Sequence, residues 1–193
     1  MDRHTTFLEG IVCVNNKWAI GKDGDLLYDI PDDKRMFRVA TTNKSVIMGY
    51  KTFESLRRPH GLSGRNNIVL THRDIEIPGV IIVHSVEEAM NCVDHLGSKG
   101  IVIGGGEIYQ QFLPHCDYFY ITMVDDNADG DVTFPRLDED PEWRRSSTTG
   151  FISVNDRNKV SYLVRYQTYM RKHTINAEEY ARKACWMQNL SLV

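Results

Sequence analysis

Short apolar runs alternate with segments of helical periodicity along the first two thirds of the chain. The apolar runs predict six strands, at Phe7–Val14, Val46–Gly49, Asn67–Thr71, Val80–Val83, Ile101–Ile103 and Tyr118–Met123. Helices are predicted from Pro31, over Lys51–Leu56, from a Ser85 cap to about Leu96, and over Glu107–Phe112. This alternation predicts an α/β fold with a mostly parallel central sheet and helices on both faces.

The pattern changes after the sixth strand. Trp143–Ser153 and Val160–Tyr169 predict two strands joined by a turn at residues 155–158. Because consecutive strands of a hairpin are antiparallel, we expect a mixed sheet with an antiparallel C-terminal edge hairpin. Apolar positions in residues 173–193 predict a moderately amphipathic helix. The chain therefore divides into one domain over residues 1–172 and a C-terminal extension over residues 173–193.

Three glycines, Gly104–Gly106, separate an apolar strand from a helix. Glycines at such a junction allow a ligand to approach the backbone, and the free N–H groups of the helix start favour an anion. A phosphate-bearing cofactor site and a turn without a ligand are both compatible with this pattern. The third glycine of the GxGxxG fingerprint is absent, which argues against an ordinary Rossmann fold.

Charged and polar residues at other predicted strand and helix ends are further candidates for binding. Lys51 and Thr52 begin a helix, and His72 and Arg73 follow a strand. Asp33 lies in the first turn of a helix, in line with the apolar stripe. It is either a dipole-compensating acid or an acid in a pocket.

A polar segment with two glycines, Ile20–Asp25, connects the first strand to the first helix. This composition predicts a mobile surface loop, anchored at its ends by apolar residues. Such a loop is either a connector or a lid over a site.

The composition is that of a globular protein of 193 residues, with 41% hydrophobic and 25% charged residues. The net charge of −3 gives no support for binding nucleic acid, and no apolar run approaches the length of a membrane span. The four cysteines are widely spaced, which favours free thiols over disulfides or a metal site. We expect a cytoplasmic monomer without a bound metal.

Six motifs occur in an order and spacing that resembles the dihydrofolate reductase family from about Phe7 to Tyr169. They are Ala19-Ile20-Gly21, Leu26-Leu27-Tyr28-x-Ile30-Pro31-x-Asp33-x-x-Met36-Phe37, Val46-Ile47-Met48-Gly49-x-x-Thr52-Phe53-Glu54-Ser55, Gly64-Arg65-x-Asn67, Ile103-Gly104-Gly105-Gly106-x-x-Tyr109 and Gly130-Asp131-x-x-Phe134-Pro135. Each motif is weak alone, but six in sequence are specific.

The resemblance implies reduction of 7,8-dihydrofolate to tetrahydrofolate, which supplies one-carbon and thymidylate metabolism. A hydride passes from NADPH to pterin C6 while N5 gains a proton. Asp33 matches the acid that pairs with the pterin N3–H and 2-amino group, and Arg65 matches the arginine that grips the glutamate α-carboxylate. Antifolate inhibitors are implied as ligands of the same site.

The resemblance also implies a role for each residue that matches the family's motifs. The implied catalytic residues are Asp33, Tyr109 and Tyr28. The implied substrate-binding residues are Ile11, Val12, Asp33, Phe37, Arg65, Ile103 and Thr122. The implied NADPH-binding residues are Cys13, Ile20, Gly21, Gly49, Lys51, Thr52, Thr71, His72, Arg73, Gly104, Gly105, Gly106, Glu107, Ile108 and Tyr109. Among them, Thr71, His72 and Arg73 would surround the adenosine 2′-phosphate.

Four residues depart from the family's usual pattern. Tyr28 stands where the family often has tryptophan, Lys34 where an apolar residue is common, Tyr50 where a basic residue is common, and Glu107 where some members have arginine. The changes at Tyr50 and Glu107 weaken the attraction for phosphate. The stem of Lys34 could pack against the aminobenzoyl group while its ammonium reaches solvent or the glutamate.

Two other functions remain open from the sequence. A pyrimidinone reductase of the riboflavin pathway has the same fold and uses NADPH, but it has no need of Asp33 or Arg65 at these positions. A pterin- or nucleotide-binding module without turnover is the alternative from another class.

Overall fold

This computed structural model describes residues 7–172, which form twelve strands and four α-helices. The strands are β1 (Leu8–Asn15), β2 (Ala19–Lys22), β3 (Asp25–Leu26), β4 (Ser45–Gly49), β5 (Asn66–Leu70), β6 (Val80–Val83), β7 (Gly100–Gly104), β8 (Tyr118–Val124), β9 (Val132–Thr133), β10 (Trp143–Thr148), β11 (Ile152–Asn155) and β12 (Ser161–Arg171). The helices are α1 (Pro31–Thr41), α2 (Tyr50–Ser55), α3 (Val86–His95) and α4 (Gly106–Phe112). The helix predicted over residues 173–193 lies outside the described residues.

The chain forms two compact units, and the first contains residues 7–11 and 38–116. Its strands are ordered β1-β7-β4-β5-β6, and all of these pairs are parallel. The central strands are covered on both sides, since the successive residues Val46, Ile47 and Met48 of β4, which alternate between the two faces, are all fully buried. As predicted, the Ser85 hydroxyl caps α3 by accepting a 3.1 Å hydrogen bond from the Glu88 N–H. Parallel pairing brings the carboxyl ends of β4, β5 and β7 to one edge.

The second unit contains residues 12–37 and 117–172. Its strands β10, β12 and β8 are antiparallel neighbours, and β11 also pairs with β12. The prediction of one continuous strand over Trp143–Ser153 is wrong, because the chain leaves strand geometry between Thr148 and Ile152. The register already shifts between Arg145 and Ser147, so two shorter strands pair with β12 in succession. The described strands therefore pair both parallel and antiparallel, with the antiparallel strands at the C-terminal end, as predicted.

The segment Ile20–Asp25, predicted as a mobile surface loop, contains short strands that the sequence did not indicate. It forms β2 and the start of β3, which join β9 in a small antiparallel sheet of the second unit. A Cβ on Gly130 would lie 2.8 Å from the Ala19 Cβ, so this glycine permits the close approach of the two segments. Two-residue strands leave too little periodicity for detection in the sequence.

Residues 7–172 contain no group of three or more His, Cys, Asp or Glu side chains arranged to hold a metal ion. Within the same residues, no helix is long and apolar enough to span a membrane. Cys13 and Cys92 are free thiols.

Candidate active site

Asp33 in the second unit is a partly buried acid in the first turn of α1. The hydroxyl of Thr122, on β8, donates a hydrogen bond to the Asp33 carboxylate. Burial raises the pKa of Asp33, and the bond from Thr122 and the charge of Lys34 offset this effect only in part. A carboxyl group in this state is suited to binding a cation or to assisting proton transfer.

Two uncharged side chains in the same unit, Cys13 and Tyr166, interact electrostatically with Asp33. Burial, followed by the charge of Asp33, raises the pKa of the Cys13 thiol and of the Tyr166 phenol. Tyr166 on β12 pairs in register with Thr122 on β8, so their side chains lie on the same face of the sheet. The structure therefore brings the predicted residues Cys13, Asp33 and Thr122 together and adds Tyr166.

Tyr28 is held by two hydrogen bonds within the second unit. Its hydroxyl donates to Oδ2 of Asp126 at 2.6 Å and accepts from Nδ2 of Asn15 at 3.2 Å. Burial and the bond to Asp126 raise the pKa of Tyr28, whereas the bond from Tyr28 lowers the pKa of Asp126. The phenol therefore remains protonated and the carboxylate ionised at neutral pH.

In the first unit, the glycine turn after β7 leaves no room for side chains. A Cβ on Gly104 would lie 2.9 Å from the Tyr109 ring, and Gly104 has a φ of 109°, which L side chains rarely adopt. A Cβ on Gly105 would lie 3.2 Å from Oγ1 of Thr52. The ring of Tyr109 is fixed, because its hydroxyl donates a 2.6 Å hydrogen bond to the Ile11 carbonyl. Side chains at these two positions would run into Tyr109 and Thr52, so the close packing of this turn requires glycine.

Cations lie at the ends of the neighbouring strands of this unit. The guanidinium of Arg73 lies 4.3 Å from the centroid of the Tyr50 ring, a cation–π contact. The Arg73 N–H donates to Oγ1 of Thr71 at 3.2 Å, and a ring nitrogen of His84 lies 2.8 Å from the Thr71 carbonyl oxygen. Within residues 7–172, neither Arg73 nor Lys51 forms an ion pair with a carboxylate. These charges are available to an anion.

Arg65 is oriented by its own unit. Its guanidinium donates to Oγ1 of Thr41 at 3.0 and 3.2 Å, to the Ser63 carbonyl at 2.6 Å and to the Arg38 carbonyl at 3.2 Å. Burial and the charges of Arg38 and Arg58 lower the pKa of Arg65, which stays cationic. These acceptors are neutral, and among residues 7–172 no carboxylate pairs with Arg65, so its positive charge is not cancelled there.

Comparison with known proteins identifies the family. A sequence model described as Dihydrofolate reductase matches residues 7–171. The chain belongs to the dihydrofolate reductase family. It is 44% identical over 133 residues to the dihydrofolate reductase of Haemophilus influenzae, which covers 69% of this chain and 81% of that protein. It is 35% identical over 160 residues to the dihydrofolate reductase of Bacillus subtilis, covering 82% and 90% of the two chains.

A solved structure supports the same fold. Dihydrofolate reductase from Enterococcus faecalis, complexed with NADP(H) and RAB-propyl, superimposes with a TM-score of 0.75 at 32% identity. The match covers 86% of this chain and 96% of that one. The resemblance to the dihydrofolate reductase family and the α/β fold predicted from the sequence are therefore confirmed.

The residues present fit the NADPH of a dihydrofolate reductase. In the described part of the chain, the cations of Lys51 and Arg73 are not neutralised by carboxylates, and the turn at Gly104 and Gly105 carries no side chain that could block a phosphate. Glu107 opposes a phosphate, since it places a negative charge in the first turn of α4. The fit therefore depends on backbone N–H groups and on cations from the ends of β4 and β5.

The predicted site residues of this dihydrofolate reductase divide between the two units. The second unit contains Val12, Cys13, Ile20, Gly21, Tyr28, Asp33, Phe37 and Thr122. The first unit contains Ile11, Gly49, Lys51, Thr52, Arg65, Thr71, His72, Arg73, Ile103, Gly104, Gly105, Gly106, Glu107, Ile108 and Tyr109. Their individual roles stay predictions.

Several contacts at these residues could not be found from the sequence. Asp126 and Tyr28 are 98 positions apart, and no local pattern pairs them. Tyr166 had a weak signal, since alternation along β12 places it on one face, but the register with Thr122 was unknown. Nζ of Lys34 lies 2.6 Å from Oδ1 of Asp29, a partner that the sequence did not indicate, and the Lys34 side chain is 42% exposed.

Proposed function

We propose that Asp33 is the acid through which this chain binds dihydrofolate and activates it for reduction. The activity itself follows from the family: the chain is an NADPH-dependent oxidoreductase that reduces dihydrofolate. This assignment decides against the pyrimidinone reductase and the non-catalytic module. The observation that carries the proposal is a carboxyl group with a raised pKa, oriented by Thr122, among the uncharged side chains of Cys13 and Tyr166.

The chemistry requires a positive charge to be stabilised on the pterin. When bound, NADPH supplies the hydride that adds to C6, and N5 gains a proton. Both oxygens of the Asp33 carboxylate can accept parallel hydrogen bonds from N3–H and the 2-amino group. A negative charge at this place favours the protonated pterin, and Thr122 fixes the orientation of the carboxylate.

The remaining substrate contacts form the second part of the proposal. Arg65 binds the α-carboxylate of the glutamate, a role supported by its fixed and unneutralised guanidinium. Phe37 and Val12 pack against the aromatic rings of the substrate. The carbonyls of Ile11 and Ile103 accept from the pterin ring of inhibitors.

The cofactor contacts are assigned by the same reasoning. The backbone from Gly104 to Glu107 and Ile108 would bind the pyrophosphate, together with Gly49, Lys51 and Thr52. Tyr109 would contact the nicotinamide, and the backbones of Cys13, Ile20 and Gly21 would bind its carboxamide. Thr71, His72 and Arg73 would bind the 2′-phosphate.

The experiment for the function is a spectrophotometric assay of NADPH consumption with dihydrofolate. We expect consumption that requires dihydrofolate and stops with an antifolate. Consumption with a ribosylaminopyrimidinone but not with dihydrofolate would favour the riboflavin-pathway reaction. Binding of both ligands without consumption would leave a non-catalytic module.

Arg73→Ala is expected to reduce the preference for NADPH over NADH. Loss of one charge-assisted contact to the 2′-phosphate should weaken NADPH binding about 10- to 100-fold, while NADH binding changes little. Dissociation constants for both cofactors, measured by calorimetry, give the result. Arg57→Ala removes another exposed arginine of the same unit and serves as the control. Equal weakening for NADPH and NADH would contradict the assignment.

We extend the proposal to the oligomeric state, the partners and the location of the protein. We propose a monomer that binds dihydrofolate and antifolates but not nucleic acid, consistent with the net charge of −3. Free thiols at Cys13 and Cys92 agree with a reducing, cytoplasmic setting. Light scattering should give the mass of one chain, and the mass of two chains would contradict the monomer.

A further inference from the structure

Asp126 contacts the hydroxyl of Tyr28 without appearing among the residues that the family resemblance implies. Oδ2 of Asp126 accepts a hydrogen bond from the Tyr28 hydroxyl at 2.6 Å and another from the Ala128 N–H at 3.0 Å. Asn15, which is fully buried, donates from Nδ2 to both the Tyr28 oxygen and the Ala128 carbonyl. Tyr28 is only 8% exposed, so its side chain is held within the fold.

These bonds fix the direction of the Tyr28 O–H bond. A phenol has a single hydrogen to donate and two lone pairs that accept. Its hydrogen is committed to an ionised carboxylate, which is the stronger acceptor, and one lone pair is committed to Asn15. The Tyr28 oxygen therefore retains acceptor capacity but has no hydrogen left to donate.

The backbone around Asp126 is also rigid. The Asn16 N–H donates to the Asp126 carbonyl at 3.1 Å, and the Asp126 N–H donates to the Val124 carbonyl at 2.9 Å. Oδ1 of Asn15 accepts from the N–H groups of Lys17 and Ala19, both at 3.0 Å. Backbone hydrogen bonds thus hold the segment that carries the Asp126 carboxylate, and the bonds to Oδ1 of Asn15 fix the side chain that donates to Tyr28.

We propose that Asp126 is a positioning residue that makes Tyr28 a fixed hydrogen-bond acceptor in the reduction of dihydrofolate. This inference rests on the proposed function and on the catalytic role that the family resemblance implies for Tyr28. Tyr28 and Asp33 each interact electrostatically with the Cys13 thiol. Tyr28 then does not supply the proton for N5. It accepts a hydrogen bond from a donor, either a substrate N–H group or a water molecule, and so orients that donor.

The arrangement reverses the hydrogen-bond polarity expected at this position. The indole N–H of a tryptophan, common here in the family, is a donor only. The pair of Tyr28 and Asp126 provides an acceptor in its place. The two residues should therefore act as one unit, and the loss of either should have the same consequence for catalysis.

A double-mutant cycle with Tyr28→Phe, Asp126→Ala and the combined variant tests this proposal. We expect each single variant to lower kcat for dihydrofolate roughly 10- to 100-fold, the scale expected for loss of an orienting contact. The double variant should be no slower than Tyr28→Phe. The dissociation constant for NADPH should stay unchanged in all three. Asp126→Asn keeps an acceptor oxygen for the Tyr28 hydroxyl and should restore most of kcat.

Asp125→Ala is the matched control, because Asp125 is the adjacent acid and contacts Asn16 rather than Tyr28. It should leave kcat unchanged. The proposal is overturned if Asp126→Ala lowers kcat by the same factor with Phe at position 28 as with Tyr, or if it does not lower kcat at all.

Urea unfolding of the same four proteins separates this inference from the proposed function. Coupling between positions 28 and 126 in unfolding free energy measures the hydrogen bond without any turnover. Failure of the wild type to reduce dihydrofolate would refute the proposed function, and absence of coupling would independently refute the contact. Coupling in stability without coupling in kcat would show a purely structural bond and would overturn the positioning role.

Discussion

Asp33→Asn is expected to reduce dihydrofolate about 10²- to 10⁴-fold more slowly than the wild type at neutral pH. Asparagine preserves the shape and one acceptor oxygen but removes the negative charge that favours the protonated pterin. The loss should appear in kcat, and it should shrink as the pH falls, because substrate protonation in solution then replaces the assistance of the carboxylate. Stopped-flow measurement of NADPH absorbance across pH gives both quantities.

Asp32→Asn is the matched control for this variant. Asp32 lies in the same helical turn, and its side chain is 46% exposed and lies 3.7 Å from the Arg35 guanidinium. Its loss should leave the rate and the pH profile unchanged. An Asp33→Asn variant with the wild-type pH profile would refute the catalytic role of Asp33.

Asp33→Asn should also be more stable than the wild type at neutral pH. Burial raises the folded-state pKa of Asp33, so the folded chain binds this proton more tightly than the unfolded chain. The stability from this carboxyl is present below its ordinary pKa and is lost as the pH rises through the raised pKa. The difference in melting temperature, variant minus wild type, should therefore increase from about pH 4 to neutral pH. A difference that falls with pH would contradict the direction of the pKa shift.

Arg65→Ala is expected to raise the KM for dihydrofolate about 10- to 150-fold, with little change in kcat. This factor corresponds to a loss of about 1.5–3 kcal/mol of binding free energy. The guanidinium would contact the glutamate tail equally in the ground and transition states, so its loss affects binding rather than the chemical step. Initial rates over a range of dihydrofolate concentrations give KM and kcat separately.

A dihydropterin without the glutamate provides the control for Arg65. The wild type and Arg65→Ala should reduce this truncated substrate with equal kcat/KM. If the variant is impaired equally on both substrates, Arg65 acts through the fold, since it also donates to buried Thr41, and the carboxylate assignment fails.

Local sequence signals predicted the elements that depend on residues close together in the chain. The runs that became β4, β5 and β7 are buried on both faces, so their apolar character is continuous and visible. The cap of α3 at Ser85 depends on residues three positions apart. Periodicity placed Asp33 in the first turn of a helix but left two interpretations of its role. The family motifs favoured the acid of a pterin pocket.

Long-range pairing explains what the sequence could not show. The small sheet of β2, β3 and β9 joins residues more than 100 positions apart through two-residue strands. The partners of Tyr28 and of Arg73 likewise depend on where separate segments meet, as at Asp126 and Tyr50. A departure such as Tyr50 looked like a simple loss of charge, whereas its ring contacts the Arg73 guanidinium.

A crystal structure of the chain with folate and NADP⁺ bound tests the central claim most directly. We predict both carboxylate oxygens of Asp33 about 2.7–2.9 Å from the pterin N3 and 2-amino nitrogen, the spacing of a charge-assisted pair. A pterin bound elsewhere, with the Asp33 carboxylate facing only solvent or other protein groups, would contradict it.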